Sequence, residues 1–164
     1  LILERRSLEF PDQTQRGSGF LFNMNHVFEK YVEAGIRQAL HGQGGRVDGQ
    51  RITHLDEADT VLMKPDITWW LGDHCLAVID AKYKRTTSDD YPNADAYQML
   101  AYCTRLGLQR GLLVYADLDG QSNGSTIIRN AGIEIVVTAL DISGSIEDLR
   151  SSVTELARLV SPSA

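Results

Sequence analysis

The succession of apolar patterns along the chain predicts an α/β domain in which a mixed sheet is flanked by helices. Helical periodicity occurs in three places, over 22–40, 94–106 and 146–160. Short apolar runs of strand length, at 67–71, 76–82, 112–115 and 133–138, lie between them. Helices that bracket strands in this way bury their apolar stripes on a shared sheet.

Residues 1–19 are polar, end in Gly17-Ser18-Gly19 and read as an N-terminal arm, with a short strand at Leu1-Ile2-Leu3. The single folded domain is then expected over 20–164. In the first helix Met24, Val27, Phe28, Tyr31 and Gly35 form the expected stripe, with the glycine permitting close packing. The glycines of His41-Gly42-Gln43-Gly44-Gly45 end it. A strand is expected over 51–55. The strands 67–71 and 76–82 are separated by Gly72-Asp73-His74, a hairpin-length turn. A polar loop over 86–90 leads to the second helix, capped by Asn93 and closed by Gly107, with a core stripe of Tyr97, Leu100, Ala101 and Thr104. Leu112 to Tyr115 reads as a buried strand, followed by strands at 127–128 and 133–138. Ser145 and Asp148 form a shortened capping box before the last helix.

Composition narrows the function. The 164 residues suit one domain, and 14 glycines with 4 prolines are too few for a low-complexity chain. Sixteen basic against 22 acidic residues leave a charge of −6, which excludes a protein that coats nucleic acid with its whole surface. Nucleic-acid contact would need a local basic patch or a partner. Cys75 and Cys103 lack metal spacing and read as reduced cytosolic thiols, so the expected location is the cytoplasm. No apolar run approaches the ~20 residues of a spanning helix. A first residue of Leu1 suggests the C-terminal part of a longer chain.

There is no GxxxxGK[ST] loop, HExxH or GxSxG. What remains is Pro65-Asp66 and Asp80-Ala81-Lys82. Asp80 follows the apolar run Leu76-Ala77-Val78-Ile79, where a carboxylate is costly unless paired or holding a cation. Strand alternation puts Asp80 and Lys82 on one face, ~6.5–7 Å apart. If Gly72-Asp73-His74 is the whole turn, Leu71 pairs with Cys75 and Asp66 falls opposite Asp80. A two-residue turn would put the aspartates on opposite faces unless a bulge restored the count. Opposed carboxylates ~4.5–5.5 Å apart repel, but they can share a hard cation such as Mg2+, with Mn2+ as a substitute. Either aspartate alone would read as an ordinary strand acid; together, beside Lys82, they suit phosphodiester hydrolysis. Lys84 and Arg85 fit a phosphate-holding patch and a solvated loop edge equally well. Gln98 and Tyr102 share a face of the second helix, with Arg105 a turn further and also within reach of DNA. Glu29 flanks the first helix's stripe and could offer a third carboxylate.

Glu29, Pro65-Asp66, Asp80-Ala81-Lys82 and Gln98-Met99-Leu100-Ala101-Tyr102, in this order, resemble the PD-(D/E)xK nuclease superfamily. The segments 20–32, 64–67, 79–84 and 95–102 are similar to the nuclease domain of the McrC family, the cleavage subunits of modification-dependent McrBC restriction systems. The resemblance runs over about residues 1–116. It implies a restriction-endonuclease-like αβββαβ core. Asp66, Asp80 and the Ala81 carbonyl would hold Mg2+, and Glu29 would be a further ligand or act through a water. Lys82 would activate the nucleophilic water, while Gln98 and Tyr102 would position the lysine or the phosphate. It also implies a DNA substrate and a GTP-hydrolysing AAA+ partner of the McrB type. The competing readings are a catalytically silent docking module of the same fold, and a small-molecule α/β enzyme, against which the missing phosphate loop argues.

Overall fold

A computed structural model describes residues 23–83, 93–117 and 123–160. The arm over 1–19, the start of the first helix at residue 22, the loop 86–90, and Lys84 and Arg85 lie outside the described residues. Helix α1 (Met24–Ala39) leads to strand β1 (Arg46–Gly49), the short β2 (Thr53–His54) and β3 (Leu62–Met63), and the hairpin β4 (Ile67–Leu71) and β5 (His74–Lys82). Helix α2 (Asn93–Leu106), strands β6 (Arg110–Asp117), β7 (Gly124–Ile127) and β8 (Glu134–Asp141), and helix α3 (Ile146–Val160) complete the order. Six strands form one mixed sheet in the order β1-β4-β5-β6-β8-β7, while β2 and β3 pair separately. The central strand β6 runs parallel to β5 and β8, and the outer pairings β1–β4, β4–β5 and β7–β8 are antiparallel.

Alternation along β5 divides the core. Ala77, Ile79 and Ala81 pack with α1 and α3 on one face of the sheet. Val78 joins Met99 and Cys103 of α2, and Leu113 and Tyr115 of β6, on the other. Leu112 to Tyr115 are all buried, as a continuous apolar run in a parallel, two-sided strand requires.

Both amphipathic stripes are rotated from the sequence expectation. In α1 the buried positions are Phe28, Val32, Glu33 and Ile36, while Met24 and Val27 are exposed. Burying Glu33 is tolerated because Lys30 and Arg37 hold its carboxylate at 2.7 and 2.6 Å, and their bonds outweigh burial to keep its pKa low. In α2 the buried set is Asp95, Ala96, Met99, Tyr102 and Cys103, and Tyr97 is 70% exposed. The expected strand over 51–55 is reduced to Thr53–His54, and β1, short and largely polar, was not expected. Asn93 is the first residue of α2 rather than its cap, whereas Gly107 closes the helix at φ +69°. The Ser145–Asp148 capping box forms: the Asp148 amide donates to Ser145 Oγ at 3.2 Å and the Ser145 amide to Asp148 Oδ2 at 2.9 Å.

Gly35 does what its place in the stripe suggested. A Cβ there would lie 2.4 Å from Val153 Cγ1 of α3, so the two helices meet where the glycine lacks a side chain. Gly35→Ala is expected to cost ~1–3 kcal/mol by overpacking, lowering the melting temperature by ~2–4 °C per kcal/mol. Adding Val153→Ala should recover part of that loss. Thermal melts of both single variants and the double variant check this, and strictly additive losses would contradict the contact.

Candidate active site

The β4–β5 hairpin sets the geometry of the site. Its turn is Gly72-Asp73, because Leu71 pairs with His74 and Trp70 with Cys75. The expected three-residue turn is therefore corrected. Trp69 nevertheless pairs with Ala77, leaving Leu76 as an extra residue, and this bulge restores the count. Beyond it Thr68 faces Val78 and Ile67 faces Ile79, which makes Asp66 and Asp80 the next opposed pair. The bulge shows in the packing: consecutive Leu76 and Ala77 both join the α1 face. Polar hairpin composition explains the two-residue turn, since Gly72 takes φ +59°, where glycine is unhindered.

Asp66 Oδ2 accepts the Ala81 amide at 2.9 Å, so one carboxylate grips the backbone next to the other. Asp80 is 1% exposed. Its Oδ2 lies 2.6 Å from Lys82 Nζ, an ion pair off the hydrogen-bonding angles, and this buried oxygen accepts no hydrogen bond among the described residues. Burial, then the charge of Asp66, pushes Asp80 up to about 7 despite Lys82. For Lys82, burial disfavours the charge, but Asp80 and then Asp66 outweigh it and hold the amine above its ordinary value.

Glu29 reaches the same neighbourhood from α1. Burial and the Asp66 charge raise its pKa, and Lys82 lowers it. It accepts from Gln50 Nε2 at 3.2 Å and lies 3.7 Å from His26 Nδ1. No group of three His, Cys, Asp or Glu side chains is arranged to hold a metal among the described residues, so Glu29 stands back from the aspartate pair. On α2, Gln98 Nε2 donates to the Tyr102 hydroxyl at 2.7 Å. Tyr102 is buried, and burial together with Asp80 and Asp66 pushes its pKa up, which places the phenol beside the carboxylates. Arg105 is exposed and donates through Nε to the His54 carbonyl at 2.7 Å, tying α2 to the β2–β3 hairpin.

Two nearby residues were not singled out from the sequence. Gln50 has φ +52°, and its amide donates to the Asp66 carbonyl at 2.8 Å while its side chain holds Glu29. The preceding Gly49 lies so close to Glu33 that a Cβ would meet its carboxylate at 2.4 Å. Nothing local in Gly49-Gln50-Arg51 signals this role, because it depends on α1 lying against β1. Asp95, buried and accepting from the Tyr115 hydroxyl, adds negative potential at Lys82. The expected stripe of Tyr97, Leu100, Ala101 and Thr104 leaves Asp95 outside the core, so nothing local in the sequence marks it.

Residues 1–116 match the family described as McrBC 5-methylcytosine restriction system component. The chain belongs to this McrBC family. No match is found among curated proteins. The fold is similar to that of a chain in a refined half-complex from the tetradecameric assembly of Thermococcus gammatolerans McrB AAA+ hexamers with bound McrC. The TM-score is 0.66 at 18% identity, covering 85% of this chain and 34% of that one. The McrBC-family chain described here thus spans about a third of that neighbour's length. No helix among its described residues is long and apolar enough to cross a membrane.

Asp80 makes the stability of this McrBC component depend on pH. Its folded value of about 7 lies above its ordinary 3.8, so folding takes up a proton between those limits. In metal-free protein, stability should fall as pH rises from ~4 to ~7 and stay low above that, a decline of ~2–4 kcal/mol from this group. Asp80→Asn should flatten that decline. Melts over pH 4–8 in chelator measure it, and an undiminished slope in the variant would contradict the burial of this charge.

Proposed function

We propose that this chain is a Mg2+-dependent endonuclease domain of the PD-(D/E)xK kind, cutting DNA phosphodiester bonds as the cleavage unit of a modified-cytosine-dependent restriction system. The observation that carries the reading is the bulge-dependent convergence of Asp66 and Asp80, with Lys82 on the same face and paired at 2.6 Å with a buried oxygen of Asp80. A DNA substrate also puts the chain in the cytoplasm. The AAA+ partner is inferred from the McrB hexamers in the neighbour's assembly.

The donor set fits magnesium. That ion binds through one or two carboxylates and keeps several waters, so two aspartates and the Ala81 carbonyl suffice without a three-side-chain cluster. When bound, the ion would supply positive charge at the phosphate oxygens. Glu29, set back from the pair but within its electrostatic influence, would act through a water. Lys82, protonated throughout the neutral range, donates from Nζ to the attacking water and to the phosphate oxygen on which charge develops. Tyr102 keeps its proton because burial and the two aspartates oppose its ionisation, so it is a hydrogen-bond donor and not a base. Gln98 fixes that hydroxyl.

Asp80→Ala and Lys82→Ala should fail by different routes. Loss of Asp80 removes one of two charged ligands and should weaken Mg2+ binding in calorimetric titration. Loss of Lys82 should leave Mg2+ bound while cleavage falls on the order of 10²-fold or more. Incubation with modified and unmodified DNA, with and without Mg2+, gives the cleavage readout. Equal loss of Mg2+ affinity in both variants would contradict the assigned roles.

A further inference from the structure

Asp66, Thr68 and Trp70 follow one another on a single sheet face, the face that also carries Asp80 and Lys82. Side chains two apart along a strand are ~6.5–7 Å apart, so this row extends ~13 Å from the carboxylate pair. Thr68 and Trp70 of this row form part of the wall of a cleft of about 300 Å³ that is also lined by Pro65, Arg51, Arg105 and Asp73. The cleft therefore begins at the residue next to Asp66 and runs toward the hairpin turn.

Its chemistry is unlike that of the chain as a whole. The Arg51 guanidinium lies 4.2 Å from the centre of the Trp70 ring, and the Trp70 indole is fixed by donating to Thr68 Oγ1 at 2.8 Å. A guanidinium stacked on an aromatic face keeps its in-plane donors free for an anion. Arg51 shares Asp48 with Arg46, at 3.2 and 2.8 Å, so that trio retains one positive charge. Arg105 meets no carboxylate among the described residues and gives only its Nε proton to the His54 carbonyl. Arg51 and Arg105 of the lining thus stand against Asp73, with the Arg46–Asp48 pair beside Arg51, in a chain whose total charge is −6.

We infer that this cleft is a subsite for the sugar-phosphate backbone of DNA, with Arg51 and Arg105 contacting phosphates a few nucleotides from the bond placed at Asp66 and Asp80. The inference rests on the nuclease reading for the location of that bond, but not for the cleft's affinity for a polyanion. Trp70 has two functions in it: it orients Arg51 and it forms an apolar wall for the sugar edge. The subsite gives an acidic domain a local means of holding a polyanion beside its carboxylates.

The test uses the full chain in chelator, where no cutting occurs, with a fluorescein-labelled 20-base-pair duplex and anisotropy over a salt series. Arg51→Ala with Arg105→Ala should reduce the slope of log K against log salt by about 1.8, two phosphates' worth. Affinity at 0.1 M salt should fall on the order of tenfold or more. Arg51→Lys with Arg105→Lys keeps the charges and should keep most of the slope. Circular dichroism melts show whether each variant is folded. Parental slope and affinity in the folded double-alanine variant, or no duplex binding by the parent, overturns the subsite. Cleavage by the parent on adding Mg2+ is read separately. A parent that does not cut but loses slope on the double substitution refutes the nuclease reading and retains the subsite. A parent that cuts and loses no slope does the reverse.

Discussion

Two carboxylates on neighbouring strands share a face only when the number of residues between them has the right parity. Here the turn alone has the wrong one. A two-residue Gly72-Asp73 turn carried through a regular ladder would set Asp66 opposite Ile79 and send Asp80 to the other side of the sheet. The extra residue Leu76 corrects this, and everything proposed for the site depends on it. The correction also fixes which helix serves which residue. Ala81 and Ile79 turn toward α1 and α3, so Asp80 and Lys82 share the face on which α2 brings Tyr102 and Gln98.

That arrangement concentrates unfavourable electrostatics in one place. A nearly inaccessible aspartate lies against a second aspartate, and one lysine partly offsets the pair. The surroundings restrain relaxation. Asp66 is fastened to the Ala81 amide, and its carbonyl is held by Gln50 in a left-handed conformation uncommon for a residue with a side chain. Gln50 in turn carries Glu29, and the Gly49–Glu33 approach anchors that turn under α1. A site held so that its carboxylates cannot separate is one in which a divalent cation gains the most, since it removes the repulsion that the fold maintains.

Much of this was legible in the residue order. The alternation of helix and strand patterns, the β4 bounds, the buried β6 run and the Ser145–Asp148 box all follow from local rules. The aspartates and the lysine stood out because charge interrupts an apolar strand. What escaped the sequence depends on neighbours distant along the chain. Tyr97 looks like a core aromatic, yet α2 turns Asp95 inward, because the Tyr115 hydroxyl of β6 satisfies that carboxylate. Glu33 looks like a surface residue until Lys30 and Arg37 close on it. The short strand β1 has only Val47 as an apolar residue and exists through its pairing with β4. Leu76 is as apolar as its neighbours, so nothing in its identity marks it as the extra residue; only the need to bring Asp66 and Asp80 together pointed to a bulge.

The most direct measurement is an anomalous difference map, at the manganese edge, of crystals grown with Mn2+ in place of Mg2+. One peak is expected between the Asp66 and Asp80 carboxylates, at ligand distance from both. A map without a peak there, or with the ion bound by one aspartate while the other faces away, would contradict the claim that the bulge builds a shared cation site.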